Sequence, residues 1–146
     1  MTDVSRSREL AAEPSAVWAI LADFGSLSAW ADGVDHSCLL NDEPREIGLT
    51  RRVQSGRDTF VETITVFDPP HLLAYDIHGV PRRFTVSNRW DLRPHGGRGT
   101  TVTLTSTVAM KAGILRPVGE CVFAEMMARR SETLLSSLAR ALGGTS

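Results

Sequence analysis

The chain is poor in the residues that build cross-links and reactive centres. Cysteine occurs only twice, at Cys38 and Cys121, and both lie on apolar patterns; small buried thiols in a reducing compartment are expected rather than a disulfide scaffold. The four histidines, His36, His71, His78 and His95, show none of the short pairings that present two ligands from one element, so no metal and no other cofactor is expected. A glycine-rich phosphate loop between strand and helix is absent, because Gly96-Gly97-Arg98-Gly99 joins two strands and reads as a hairpin turn. There is no nucleophile elbow, and neither cysteine has an activating histidine beside it.

Other absences bound the class of protein. No window approaches the ~18 consecutive apolar residues of a membrane span, and the run from Thr2 to Glu9 lacks the apolar core of a signal peptide, so no membrane insertion and a cytoplasmic location are expected. The formal net charge is only -1 and the arginines are dispersed, which gives no reason to expect a nucleic-acid partner. Repeats, low-complexity tracts and linkers are missing too. With 42% hydrophobic and 23% charged residues, the 146-residue chain has the composition of an ordinary folded protein, not a disordered one. One domain spanning residues 1–146 is expected, burying roughly 70% of the surface of its unfolded chain. No oligomeric state follows from the sequence.

What is present is patterning, strongest in the second half. Phe84, Val86, Asn88, Trp90 and Leu92 alternate with Thr85, Ser87, Arg89 and Asp91; after the turn at His95 to Gly99, Val102, Leu104, Ser106, Val108 and Met110 alternate with Thr101, Thr103, Thr105 and Thr107. Such strands have one wet and one dry face, and the amphipathic stretch from Pro117 to Leu142 supplies the cover, with Phe123, Met127, Leu134 and Leu138 at helical spacing. A curved sheet closing on one long helix can leave an apolar hollow, with Met126 and Met127 as a deformable wall.

Upstream, Val4 to Ala12 reads as a weakly alternating first strand, either at an edge or with a highly exposed outer face. Glu13-Pro14-Ser15 opens a helix whose apolar stripe is Val17, Trp18, Ile20, Leu21 and Phe24, and Leu27 to Ala31 form a second short helical segment that presents Trp30. Four strands follow. Their inward sets are Val34, His36, Cys38 and Leu40; Leu49, Arg51 and Val53; Phe60, Glu62, Ile64 and Val66; and Leu73, Tyr75 and Ile77. In the third of these Val61, Thr63 and Phe67 make the other face partly apolar, so a bulge could exchange the two. Asn41 to Glu46 reads as a polar turn, Asp68-Pro69-Pro70 must end or bend a strand, and Gly113 to Pro117 is the expected flexible stretch. Short connections make the strands an antiparallel meander.

In this order the chain resembles the START/Bet v 1-like superfamily, the helix-grip fold also called SRPBCC, which includes polyketide cyclase/dehydrase-like proteins. The resemblance covers essentially the whole chain and is carried by Glu13 to Phe24 with Trp30, by Glu62 to Tyr75, and by Gly97 to Thr103. It implies an α+β fold: a curved antiparallel seven-stranded sheet wrapped around a long C-terminal helix, with two short helices between the first two strands. It does not imply one activity, since families of this fold include lipid carriers, hormone- and allergen-type binding proteins, aromatase/cyclases, ring-hydroxylase subunits and chaperone activators.

The candidate ligand-binding residues are polar groups on faces read as inward, together with their apolar neighbours: His36, Arg51, Glu62, Ile64, Tyr75, Phe84, Asn88, Trp90, Phe123 and Met127. A buried ion or amide needs a partner, a water-filled space or a ligand. Arg51 and Glu62 sit on strands joined by a short hairpin, where they form either a structural salt bridge or a ligand-orienting arginine with its counter-ion. No residue is assigned as catalytic. The leading reading is a non-covalent binder or carrier of a small hydrophobic molecule, either lipid, polyketide-like or aromatic. A second is a cyclase, aromatase or dehydratase using His36, Tyr75, Glu62 or Arg51; a third is an interaction protein whose cavity is collapsed.

Overall fold

The computed structural model of the protein describes residues 1–42, 45–111 and 116–143. Along the chain run β1 (Thr2–Leu10), α1 (Pro14–Ala22), a 3-10 segment (Phe24–Ala29), β2 (His36–Leu39), β3 (Thr50–Ser55), β4 (Asp58–Asp68), β5 (Leu72–His78), β6 (Phe84–His95), β7 (Gly99–Met110) and α2 (Arg116–Ala141). The strands form one seven-stranded sheet in the order β1-β7-β6-β5-β4-β3-β2, antiparallel at every pairing. This is the helix-grip α+β arrangement. The first strand is N-terminal of the expected Val4 to Ala12, and α2 starts and ends one residue before the expected bounds.

Local chemistry explains the elements. Pro14 occupies the first turn of α1, where its missing N–H would have had no partner, and the helix buries Val17, Trp18 and Leu21. The helical segment expected at Leu27 to Ala31 begins earlier, at Phe24, and buries Phe24 and Leu27. On α2 the buried positions Ala124, Met127, Ala128, Ser131, Leu134, Leu135 and Leu138 follow the 3–4 spacing of one helix face.

That face lies against β1 and β7. Glu120 anchors the helix there, accepting hydrogen bonds from the Met1 ammonium and the Met110 backbone N–H, each at 2.8 Å. Those two donors, the ammonium first, hold its carboxyl down at about 2. Because α2 is committed to the β1–β7 side, it leaves space over the other half of the sheet.

Three expectations change. On β2 the inward set is reversed: the register pairs His36 with Gln54 and Cys38 with Arg52, while Ser37 and Leu39 stand opposite the buried Val53 and Arg51. His36 therefore lies exposed on the outer face and is no candidate for an internal site. The reason is that Ser37 is needed inside, where its hydroxyl donates to the Gly25 carbonyl and accepts from the Ser28 N–H, fixing the 3-10 segment. Cys38 goes out with His36, and Cys121 sits on the outer side of α2, so both thiols are exposed instead of buried.

On β4, a bulge between Ile64 and Val66 shifts the pairing with β5 by one residue. Val66 is thereby turned outward, 39% exposed, and Phe67 turned inward to meet the Trp18 ring edge-on at 5.1 Å. Of the stretch Gly113 to Pro117, residues 113–115 lie outside the described residues, as do residues 43–44 of the turn at Asn41 to Glu46.

Candidate functional site

Two cross-strand rows on the inner face of the sheet carry its buried polar groups. In the first, Arg51, Glu62 and Ile77 stand side by side on β3, β4 and β5; in the second, Ile64, Tyr75, Asn88 and Ser106 continue from β4 to β7. An apolar wall tolerates such groups only if they satisfy one another.

In the second row they do. Ser106 Oγ donates to Asn88 Oδ1 at 2.6 Å, and Asn88 Nδ2 donates to Tyr75 Oη at 3.3 Å. Trp90 Nε1 donates to the same oxygen at 3.2 Å. Burial pushes the Tyr75 phenol above its ordinary 10.0, and the nearby Glu62 carboxylate adds to the rise. Tyr75 is thus a neutral acceptor for two donors deep in the core.

The first row holds the charges. Arg51 is 4% exposed and Glu62 3%. Arg51 Nε and Nη2 both reach Glu62 Oε1, at 2.7 and 2.6 Å, and Nη1 donates to the Phe24 carbonyl at 3.0 Å. The guanidinium also lies over the Phe24 ring at 3.8 Å and near the Tyr75 ring at 4.9 Å, so its faces as well as its edges are occupied. Arg51 thus makes the ion pair that both of its readings contain, with its remaining terminal nitrogen on the Phe24 carbonyl.

This pair divides the interior. On the Arg51 side, Leu21, Leu27, Trp30, Leu73, Tyr75 and Trp90 close around a void of about 10 Å³, no larger than one water needs. Among the described residues the buried Trp30 Nε1 has no hydrogen-bond partner. On the Glu62 side a cavity of about 240 Å³ opens between β3, β4, β5 and α2. Phe60, Ile77, Val80, Phe123, Met126 and Met127 make its wall, and Ser55, Asp58 and Arg130 stand at its edge.

The guanidinium of Arg130 lies 5.3 Å from the centre of the Phe60 ring. Gly79, at φ +97°, carries the β5–β6 loop across β4; a Cβ there would come 2.5 Å from the Thr59 carbonyl oxygen, and the close approach brings Val80 over the cavity.

Of the residues expected to bind a ligand, Glu62, Phe123 and Met127 line this cavity. Arg51, Tyr75 and Trp90 border the small closed void; Ile64 and Asn88 are buried in the sheet's inner face. Phe84 stacks on Phe123 at 4.6 Å, which closes α2 onto the start of β6 at that point, and the hollow lies beyond that contact, toward β4. Phe60 and Ile77 sit on the inward faces that alternation identifies, and Met126 on the helix beside Met127. Val80 and Arg130 carry no period-two signal and are evident only once the chain is folded. A larger cleft of about 440 Å³ gathers Asp76, His78, Thr85 and Ser87 beside Met1, Ile77, Phe84 and Val86, so its lining is mixed, and none of its charged residues is buried. The described residues contain no cluster of metal-ligating side chains, and no described helix is long and apolar enough to cross a membrane.

A family model described as polyketide cyclase/dehydrase and lipid transport matches residues 1–143. Among solved structures, the ZhuI aromatase/cyclase from Streptomyces sp. R1128 is similar at 18% identity with a TM-score of 0.78, covering 99% of each chain. A protein from Thermobifida fusca is similar at 23% identity and a TM-score of 0.77, over 98% of this chain and 94% of that one. A START superfamily protein from Mycobacterium smegmatis follows at 18% identity and 0.67, over 96% and 93%. At these identities the likeness is one of fold. No curated protein matches the chain by sequence.

Proposed function

The chain belongs to the polyketide cyclase/dehydrase and lipid transport family, and from that premise we propose that it binds a small hydrophobic molecule, of one or two rings, in the cavity between α2 and strands β3 to β5. The observation that carries this reading is the cavity's size and lining. A space of about 240 Å³ walled by Phe60, Ile77, Val80, Phe123 and Met127 gives apolar contact along its walls and opens at the edge where Ser55, Asp58 and Arg130 stand. It exceeds the ~150 Å³ apolar cavity that holds benzene and falls short of the ~300–1,000 Å³ typical of drug-sized ligands. A ring-sized guest fits this space better than a long acyl chain. The same volume speaks against a collapsed interior. We assign the binding function to the cytoplasm, because two exposed free thiols, Cys38 and Cys121, suit a reducing compartment.

A cyclase or dehydratase would need groups that move protons where the substrate lies. Tyr75 and Arg51 are engaged on the far side of the ion pair, His36 is outside, and the cavity wall itself offers Glu62 alone as a buried titratable side chain. Binding without turnover is therefore favoured over catalysis.

The test is thermal unfolding with a panel of one- and two-ring aromatics and of fatty acids. A ligand present at 100 times its Kd stabilises the fold by about 2.7 kcal/mol, which is several degrees for a chain of this size. Stabilisation by ring compounds is the expected result. A panel in which no apolar compound shifts the midpoint overturns the proposal.

A further inference from the structure

The cavity presents its ligand with a buried hydrogen-bond acceptor and no buried donor of opposite charge. Arg51 has Nε and both terminal nitrogens directed at Glu62 Oε1 and the Phe24 carbonyl, with aromatic rings at its faces, and it is absent from the cavity lining. Glu62 does line the cavity. Both contacts from Arg51 fall on Oε1, and among the described residues Oε2 takes no hydrogen bond. Glu62 as a residue is only 3% exposed, yet Oε2 is not among the described buried atoms left without a partner, so it is the oxygen that water reaches from the cavity, and a ligand donor takes that water's place.

Resting on the reading of this cavity as a ligand site, we propose that Glu62 Oε2 is its polar subsite. The ligands selected are apolar ring compounds that carry a neutral O–H or N–H donor, such as a phenol, at their buried end. A carboxylate in that position sets two acceptor oxygens against each other with no proton to share, and no cationic donor of the cavity lining stands at that end to compensate. An ammonium gains the contact but loses hydration that Glu62, already neutralised by Arg51, returns only in part. The cationic group of the lining, Arg130, lies at the edge near Phe60, so an anionic substituent is accepted at the outer end of the ligand and not at the inner one.

The experiment is calorimetric or NMR titration with three probes of one shape: propylbenzene, 4-propylphenol and 4-propylbenzoate. With the unaltered protein the phenol is expected to bind about tenfold or more tightly than the hydrocarbon, and the benzoate, which enters only with its carboxylate turned out toward Arg130, more weakly than the phenol. Glu62→Gln keeps the shape and removes the charge; with its oxygen still facing Arg51, its amide N–H₂ turns to the cavity, and the order of phenol and benzoate inverts. Should that variant fail to fold, the three-probe order in the unaltered protein decides alone. Equal binding of all three, or tightest binding of the benzoate, overturns the Glu62 subsite and leaves the cavity reading intact. Failure of even propylbenzene to bind removes both.

Discussion

Arg51 and Glu62 stand directly opposite each other on β3 and β4, with the guanidinium Nε 2.7 Å from the carboxylate and both side chains almost fully buried. Their pairing seals one half of the interior and leaves the other open. Removing one partner strands a buried charge, which costs about 3–5 kcal/mol, whereas replacing both by apolar residues of similar volume is close to neutral. Arg51→Met is therefore expected to lower the urea midpoint sharply and Arg51→Met/Glu62→Leu to restore most of it. Equal loss in the single and double variants would contradict the ion pair as the origin of the effect.

Tyr75 is the sole tyrosine of the chain, so the phenolate absorbance near 295 nm reports on it alone. Its folded-state pKa is raised by burial, and secondarily by Glu62, so its contribution to stability is fully present below the unfolded value of about 10 and is lost as pH climbs toward the folded one. The absorbance is expected to rise only above pH 10, together with loss of the near-UV circular dichroism. A titration centred at 10 with that signal intact would show the hydroxyl to be in contact with water.

The indole nitrogens of Trp90 and Trp30 make a second comparison. Trp90 Nε1 donates to Tyr75, whereas Trp30 Nε1, equally buried as an atom, has no partner among the described residues. Trp90→Phe forfeits a buried hydrogen bond; Trp30→Phe removes a donor that burial already penalises. Denaturant unfolding is expected to place Trp90→Phe at least about 1 kcal/mol below Trp30→Phe. The reverse order would mean that the Trp30 indole is satisfied.

The contrast among these residues also marks how much was legible in the chain. Long alternation from Phe84 to Met110 defines β6 and β7 and their inner face, because every second side chain must repeat the choice and a single polar residue cannot reverse it. The same rule fails on β2, where four residues at the sheet edge offer little repetition and Ser37 turns inward to bond the 3-10 segment, leaving His36 outside. On β4 the bulge after Ile64 inverts the face midway, and only tertiary packing of Phe67 on Trp18 decides for it. Pairing of Arg51 with Glu62 followed from a short hairpin. Which side of that pair would be open did not, since it depends on the Phe24 carbonyl drawing the guanidinium toward the 3-10 segment.

Val80 offers the most direct control over the cavity. It is half-buried on the β5–β6 loop, held over the cavity by Gly79, and takes part in no strand pairing or side-chain hydrogen bond. Val80→Trp adds a two-ring side chain at the cavity wall without disturbing the sheet, and the larger ring fills part of the 240 Å³ and narrows the space that a ring-sized ligand would use. Growth at a partly exposed site beside an existing void avoids the overpacking penalty of about 1–3 kcal/mol met in a filled core. The variant is expected to unfold within a few degrees of the parent while losing the thermal shift given by ring compounds. A retained shift would locate their binding elsewhere on the molecule, and a large drop in the midpoint without ligand would mean that the cavity is already occupied by the protein's own side chains.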